Sequence, residues 1–340
     1  MATMDVFNNN AFGATSLSGF VQKMDFQPQL LGSLGIFAPR PVRTRTVFVD
    51  RVDGQLTLIP ASADGAPPAQ LERDKRDAVP LRTSRLAKSF TLYAHELDSL
   101  RASGTETELM SVQAEMATRL QRLREDMDLT HEHMRLGALQ GKVLDADGVT
   151  VLHDFEAAFD EAVPAATSLE LDVTTTDVPG LCRQIVRSMA RSARGSFTPA
   201  TTVHALAGDS FYDALMNHPS VKETYLNQQA ANNLREAQGR TFESFRVGPI
   251  TFHNYRGTDD NSTVAIPTDE AKFFPVGARD VFGVAFSPLE TVDFVGTAGQ
   301  EVYAMTIPDR DRNMWVKGEV YSYPLFVCQQ PRVLRKGTLT

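Results

Sequence analysis

Gly208-Asp-Ser-Phe211 is the most enzyme-like word in this chain. A serine becomes a nucleophile when a histidine takes its proton and a carboxylate orients that histidine. In the esterase group that uses a Gly-Asp-Ser block, the block lies near the N-terminus and an Asp-x-x-His lies close to the C-terminus. Here Ser210 sits in mid-chain, the last histidine is His253, and no Asp-x-x-His follows Ser210. Short polar residues after a strand also accept hydrogen bonds from the free amides that open a helix. Asp209 or Ser210 is therefore expected to cap the helix that starts here. A serine esterase using Ser210 stands as the alternative from another functional class.

Other stretches carry metal-ligand residue types without metal-ligand spacing. His131-Glu-His133 lies within a helical pattern, where residues two apart point about 200° from one another and do not share an ion. These histidines are expected on the sides of the helix. Asp309-Arg-Asp-Arg-Asn313 lacks the glycine and distal glutamate of a calcium loop and reads as a charged turn. Glu106 and Glu108 are placed to favour the positive end of a helix. Cys182 and Cys328 are far apart and read as two reduced, buried thiols. With no glycine-rich phosphate loop of the Walker or dinucleotide kind, the expectation is a non-enzyme with no cofactor and no metal.

The element that must carry much of this is a strut. From Glu106 to Leu139, apolar residues recur at Leu109, Val112, Met116, Leu120, Leu123, Met127, Met134 and Ala138. That spacing puts one stripe along a helix roughly 50 Å long at 1.5 Å per residue. A tight hairpin follows over Lys142–Leu152. The residues before the strut show no comparable core-forming pattern. Residues 1–40 read as an arm that orders against a neighbouring chain. Arg43–Ile59 holds two β-prone runs flanking Asp53-Gly54, a dipeptide suited to a hairpin turn. After a polar stretch over Ala61–Asp77, Val79-Pro-Leu-Arg-Thr83 leads back, so 44–92 reads as a projecting two-stranded finger that should lie on a neighbouring subunit.

Beyond the hairpin, Asp154–Ala162 is a short acidic amphipathic segment and Thr167–Val173 alternates as a strand. Thr176-Asp177 can cap a helix reaching about Arg194, with Pro179 in its first turn and Gly195 to stop it. Then come a strand from Thr202, a helix over Asp209–Asn217 and another over Val221–Ala237. Strand-like runs follow at Phe245–Tyr255, Thr263–Ile266, Val281–Phe286, Gln300–Met305, Trp315–Tyr323 and Leu325–Cys328. Helices first and strands later predict an α+β fold over a mixed sheet.

At 42% hydrophobic and 22% charged, the 340 residues belong to a folded protein, and disorder throughout is excluded. No run approaches the ~18 to 20 apolar residues of a membrane span, and Met1–Asn10 lacks the pattern of a secretion signal, so a cytoplasmic site of synthesis is expected. Residues 105–164 hold 13 acidic against 5 basic side chains, which is the whole excess behind the net charge of -8. A tight nucleic-acid binder would show the opposite sign.

The order of parts resembles the Hong Kong 97-type major capsid protein of tailed bacteriophages, and the wording is similar to the lambda-like capsid protein E family. The likeness rests on Arg135-Leu-Gly-Ala-Leu-Gln-Gly-Lys-Val-Leu-Asp-Ala-Asp-Gly148, Gly208–Lys222, Phe245–Phe252 with Tyr255-Arg-Gly257, and Phe273-Phe-Pro-Val-Gly277. Ser287-Pro-Leu-Glu290 and Gly296–Ala304 extend it.

The resemblance implies an N-terminal arm over 1–43, an extended loop over 44–92, and a peripheral domain over 93–177 with its spine helix at 106–139. An axial domain over 178–307 and a return to the peripheral domain over 308–340 complete the division. It implies a capsid protein whose pentamers and hexamers close an icosahedral head around packaged double-stranded DNA. Scaffold, portal and decoration proteins are the implied partners, there is no membrane, and the location is the virion, after assembly in the host cytoplasm. Candidate contacts between subunits are Arg51, Asp53, Glu72, Arg73, Asp74, Lys75 and Arg76. An encapsulin-like compartment shell is the alternative within the same fold.

Overall fold

A computed structural model describes residues 17–18, 30–52, 76–96, 108–222, 244–255 and 264–340. A one-turn helix, α1 (Leu30–Ser33), precedes the strut, α2 (Glu108–Leu139), which spans about 48 Å. Met116, Leu120, Leu123, Met127, Met134 and Ala138 of the expected stripe are buried. Toward its C-terminal end the strut is enclosed, with Leu136 and Leu139 buried as well. The hairpin of β5 (Lys142–Leu144) and β6 (Val151–Asp154) turns back across it. Gly137 permits that crossing, because a Cβ there would meet the Lys142 carbonyl oxygen at 2.8 Å and Val143 Cα at 2.9 Å.

Two three-stranded sheets accompany the strut. One has the order β1 (Ala38–Pro41), β12 (Phe282–Phe286), β15 (Pro324–Cys328); the other has β13 (Tyr303–Pro308), β14 (Trp315–Ser322), β4 (Leu86–Tyr93). Leu31, Phe37, Met134, Phe286, Phe326 and Phe155 of the short helix α3 (Phe155–Phe159) form the main core between strut and sheets. A six-stranded mixed sheet holds the second core, in the order β7 (Thr167–Ser168), β16 (Arg335–Thr338), β11 (Glu270–Val276), β8 (Thr202–Ala207), β10 (Ile250–Asn254), β9 (Ser244–Val247). Helices α4 (Val178–Ser192) and α5 (Asp209–Asn217) cover it through Cys182, Ile185, Met189, Phe211 and Leu215. Asp177 caps α4 by accepting from the Gly180 amide at 2.9 Å, and Gly195 follows its end at φ +101°. Both cysteines are free and buried, and burial pushes each thiol up to about 12.

Strand pairing divides the chain differently from the division at 178 and 308. β12 and β13 belong with the sheets beside the strut, while β7 and the last strand, β16, join the six-stranded sheet. The opening segment also departs from expectation. Leu30, Leu31 and Phe37 are part of the main core, and β1 pairs in parallel with β12 from Ala38↔Gly283 to Pro41↔Phe286. Further upstream, Ser18 Oγ donates to the Ala304 carbonyl at 3.1 Å and accepts from the Ala304 amide at 3.0 Å. The described part of 1–43 thus folds against its own chain.

Smaller expectations shift as well. Phe245–Tyr255 is two strands hinged at Gly248, φ +56°, and the strand at Thr167 stops at Ser168, ahead of Glu170 at φ +47°. Val264–Ile266 is not a strand. Of the helix expected over Val221–Ala237, only Val221 and Lys222 fall among the described residues, and both are helical.

Candidate assembly surface

The finger begins as an antiparallel pair, β2 (Thr46–Val52) with β3 (Arg76–Arg82), in register from Thr46↔Arg82 to Val52↔Arg76. The first run after Arg43 therefore pairs across 53–75 with β3, while Asp53-Gly54 and the second run fall outside the described residues. Alternation decides which face goes where. Val49 and Leu81 are buried in the main core, with Val47 and Val79 packed against it. The base of the finger lies on its own chain, where a neighbour had been expected to support it. The opposite face presents Phe48, 66% exposed, beside Pro80 in register.

Polar contacts clamp this base. Arg45 pairs with Glu290 and stacks its guanidinium over the Tyr323 ring at 4.9 Å. Arg85 reaches the same carboxylate at 3.9 Å. Ser287 Oγ donates to the Thr44 carbonyl at 2.7 Å, and the Gly299 amide donates to the Val42 carbonyl at 2.9 Å. Gly299 is required there: a Cβ would come within 1.9 Å of the Phe286 carbonyl oxygen. The block Ser287-Pro-Leu-Glu290 thus holds the finger at its root, a role that sequence reasoning missed.

Of the candidate contact residues, Arg51 lies on β2 opposite Asp77, and Arg76 opens β3 opposite Val52. Asp53, Glu72, Arg73, Asp74 and Lys75 fall outside the described residues. The register brings Arg51 and Arg76 to the same end of the pair.

The strut carries a buried polar row on its core side: Arg124, Asp128, His131, Glu132 and Arg135. Glu132 accepts from the Leu31 amide at 2.8 Å and the Gly32 amide at 3.2 Å, with Tyr255 donating at 3.4 Å, and Arg135 forms an ion pair with it at 3.5 Å. Burial raises the Glu132 carboxyl above its ordinary range, and the two amides and Arg135 oppose that shift. His131, expected on the side of the helix, is fully enclosed between the rings of Phe286 and Phe326. Desolvation lowers its pKa against the pull of Glu301.

The Gly-Asp-Ser block has a structural explanation. Gly208 precedes α5 with no side-chain cap, so the capping expected of Asp209 or Ser210 is not what opens this helix. The Phe211 amide instead donates to the Thr268 carbonyl at 2.8 Å, and the Gly208 amide to the Glu270 carbonyl at 3.0 Å. Gly208 allows this approach, since a Cβ would lie 2.3 Å from the Pro267 carbonyl oxygen. Ser210 is exposed, while His253 is buried against His204, with Nε2 to Nδ1 at 2.9 Å. In the Asp309–Asn313 turn, the Asp309 carboxylate accepts from the amides of Asp311, Arg312 and Met314 at 3.1, 3.2 and 3.3 Å. That is the charged turn the sequence predicts.

A long strut beside two small sheets, a finger rooted on the core and a separate mixed sheet define the Hong Kong 97-type capsid fold, in the α+β class. The solved structure of a protein assigned as a prophage capsid protein in E. coli CFT073 superposes with a TM-score of 0.56 at 12% identity, covering 96% of this chain and 99% of that one. The mature capsid of bacteriophage PhiM1 gives 0.50 at 14% identity, covering 90% and 86%. A family model described as phage major capsid protein E matches residues 13–339, and the chain belongs to that family. The major capsid protein of Salmonella phage Felix O1 (isolate Felix O1-VT1) is 26% identical over 354 residues, 95% of each chain. That of Pseudomonas phage KPP10 is 26% identical over 154 residues, 42% of this chain and 44% of its own.

Proposed function

We propose that this chain self-assembles into pentamers and hexamers that close an icosahedral phage head around packaged double-stranded DNA. The strut with its two sheets serves as the peripheral domain and the six-stranded sheet as the axial domain. Closed point-group assembly from one chain needs surfaces that meet different neighbours. The observation that carries the reading is the finger: its inner face is fixed on its own core, and Phe48 faces outward, 66% exposed among the described residues. Aromatic anchors of this kind dominate interface energetics. Many such modest contacts make a lattice that is stable once closed while single wrong contacts dissociate. The acidic strut suits a wall that lies near DNA without gripping it. Scaffold, portal and decoration proteins are the further partners, and assembly takes place in the bacterial cytoplasm.

The test is electron microscopy of the chain expressed alone or with its neighbouring head genes, against Phe48→Ser. Wild type should give closed hollow particles, and Phe48→Ser a folded subunit of unchanged melting temperature that yields capsomers or monomers. Closed shells from Phe48→Ser in normal yield would remove the finger from this role.

A further inference from the structure

Asp128 and His131 stand one helical turn apart on the strut, and Glu301 faces them from the segment before β13. One ligand atom from each lies within 4.8 Å of the others. Two carboxylates near a histidine are common, but here the hydrogen bonds also fix the histidine's tautomer. Ser322 Oγ lies 2.6 Å from the Glu301 carbonyl oxygen, which can only accept, so the single hydroxyl proton is used there. The same Oγ lies 3.0 Å from His131 Nε2 and must accept from it. Nε2 therefore bears the proton of the neutral ring, and Nδ1 is left with a bare lone pair.

That lone pair is buried and has no hydrogen-bond partner. It faces Glu301 Oε1 at 3.7 Å, an acceptor facing an acceptor. An electrophile between them would satisfy both. A Zn²⁺ ion about 2.1 Å from each of these two atoms would hold them roughly 3.4 Å apart, close to the 3.7 Å observed.

We propose that Asp128, His131 and Glu301 bind one divalent transition-metal ion of the Zn²⁺ class, pinning the strut to the segment ahead of β13. The outer partners such a site needs are present. Ser322 orients the imidazole from behind, and Arg124 holds one oxygen of Asp128 at 2.9 Å and one of Glu301 at 3.5 Å. With Arg124 set against the two carboxylates, and Arg135 against Glu132, the cluster keeps one uncompensated negative charge. A cavity of about 140 Å³, lined by Leu31, Phe37, Arg135, Phe286 and Glu301, reaches the Glu301 side of the cluster. An imidazole beside carboxylates favours Zn²⁺ over Mg²⁺ or Ca²⁺.

The experiment uses full-length protein dialysed against chelator, as free subunits and as any assembled particles, titrated with Zn²⁺ by calorimetry and with Co²⁺ by visible absorption. Wild type should take up one equivalent per chain and melt at a higher temperature with Zn²⁺. Glu301→Gln, at a half-exposed position that tolerates the change, and Asp128→Asn should each weaken uptake by about 100-fold or more, since each removes a direct ligand. Ser322→Ala should weaken it about 10- to 100-fold by freeing the ring. His204→Gln, which alters the other histidine pair, should leave it unchanged. No uptake by wild type, as when a proton on His131 Nδ1 fills the role at low pH, overturns the proposal. So does uptake that survives Glu301→Gln and Ser322→Ala, or that disappears with His204→Gln. Uptake is read on the chain itself, so its outcome is separate from whether shells form.

Discussion

The Leu31 amide donates to Glu132 Oε1 at 2.8 Å, joining the chain's opening segment to the middle of its core across 101 residues of sequence. With Gly32 donating to Oε2, one carboxylate satisfies the two amides that start α1. The same contact sets the path of the chain into β1, and so the parallel pairing of β1 with β12.

Glu132→Ala should therefore cost about 3–5 kcal/mol, because buried donors from Leu31, Gly32 and Tyr255 lose their acceptor and Arg135 its counter-charge. Glu132→Gln keeps one acceptor and should lose less. Thermal or urea unfolding checks both, and hydrogen exchange at residues 30–41 should quicken first. An Ala variant as stable as wild type would mean that Glu132 is not what holds the segment.

How much of this was legible depends on the range of the contact. The strut could be read because its stripe is local, and the Asp177 cap and the Asp309 turn because each closes within a few residues. Leu31, Phe37 and β1 could not, since a lone Leu-Leu pair gains meaning only from partners hundreds of residues away in β12 and β15. Glu132 lies between two histidines, and its own partners, Leu31, Gly32 and Tyr255, are about a hundred residues away in either direction. The informative neighbour of His131 was Asp128 at i−3, on the same face of the helix. The pairing of β2 with β3 could not be read either, because the two strands are separated by the whole of 53–75. Glu290 was visible only as part of a family word; its role needed the positions of Arg45 and Arg85.

Acid should weaken the six-stranded sheet through His204 and His253, whose stacked rings lie 5.2 Å apart. Desolvation, with His204 adding to it, takes His253 down to about 4, and desolvation lowers His204 too. Thr202 and the ring of Phe274 are their other neighbours and bring no charge. The unfolded histidine titrates near 6.5. Between that value and about 4 the unfolded state therefore binds the extra proton, and stability falls as pH falls through this window. The loss should approach roughly 3 kcal/mol for His253 at the acid end. Melting curves from pH 7.5 to 4 should show it, with a shallower fall in His253→Gln; an equal fall in both would assign the effect elsewhere.

The Gly-Asp-Ser block separates backbone need from side-chain chemistry. Gly208→Ala should destabilise by about 2–3 kcal/mol, since its Cβ would press on the Pro267 carbonyl and the Thr268 backbone. Ser210→Ala, at an exposed position, should stay within about 0.5 kcal/mol and form particles normally. Denaturation and particle yield read these effects, together with hydrolysis of a simple ester by wild type. Ester hydrolysis lost in Ser210→Ala while particles persist would establish an activity beyond the shell.

The finger and the opening segment should respond differently to removal. Deleting residues 1–40 takes away Leu31, Phe37 and most of β1, so the chain should aggregate or unfold and give no information about assembly. The finger offers a cleaner cut. Val52 and Arg76 are register partners, so residues 53–75 can be replaced by Asn-Gly, the turn that closes a two-residue hairpin. Val49, Leu81 and the Glu290 clamp remain, and the melting temperature should hold within a few degrees. Asp53, Glu72, Arg73, Asp74 and Lys75 are removed with the loop, and closed particles should be lost with them. Exposed ion pairs are individually worth only about 0–1 kcal/mol, so five single alanine substitutions should each leave assembly largely intact. The loss belongs to the finger's reach as a whole, and normal shells from the shortened chain would transfer assembly to other surfaces.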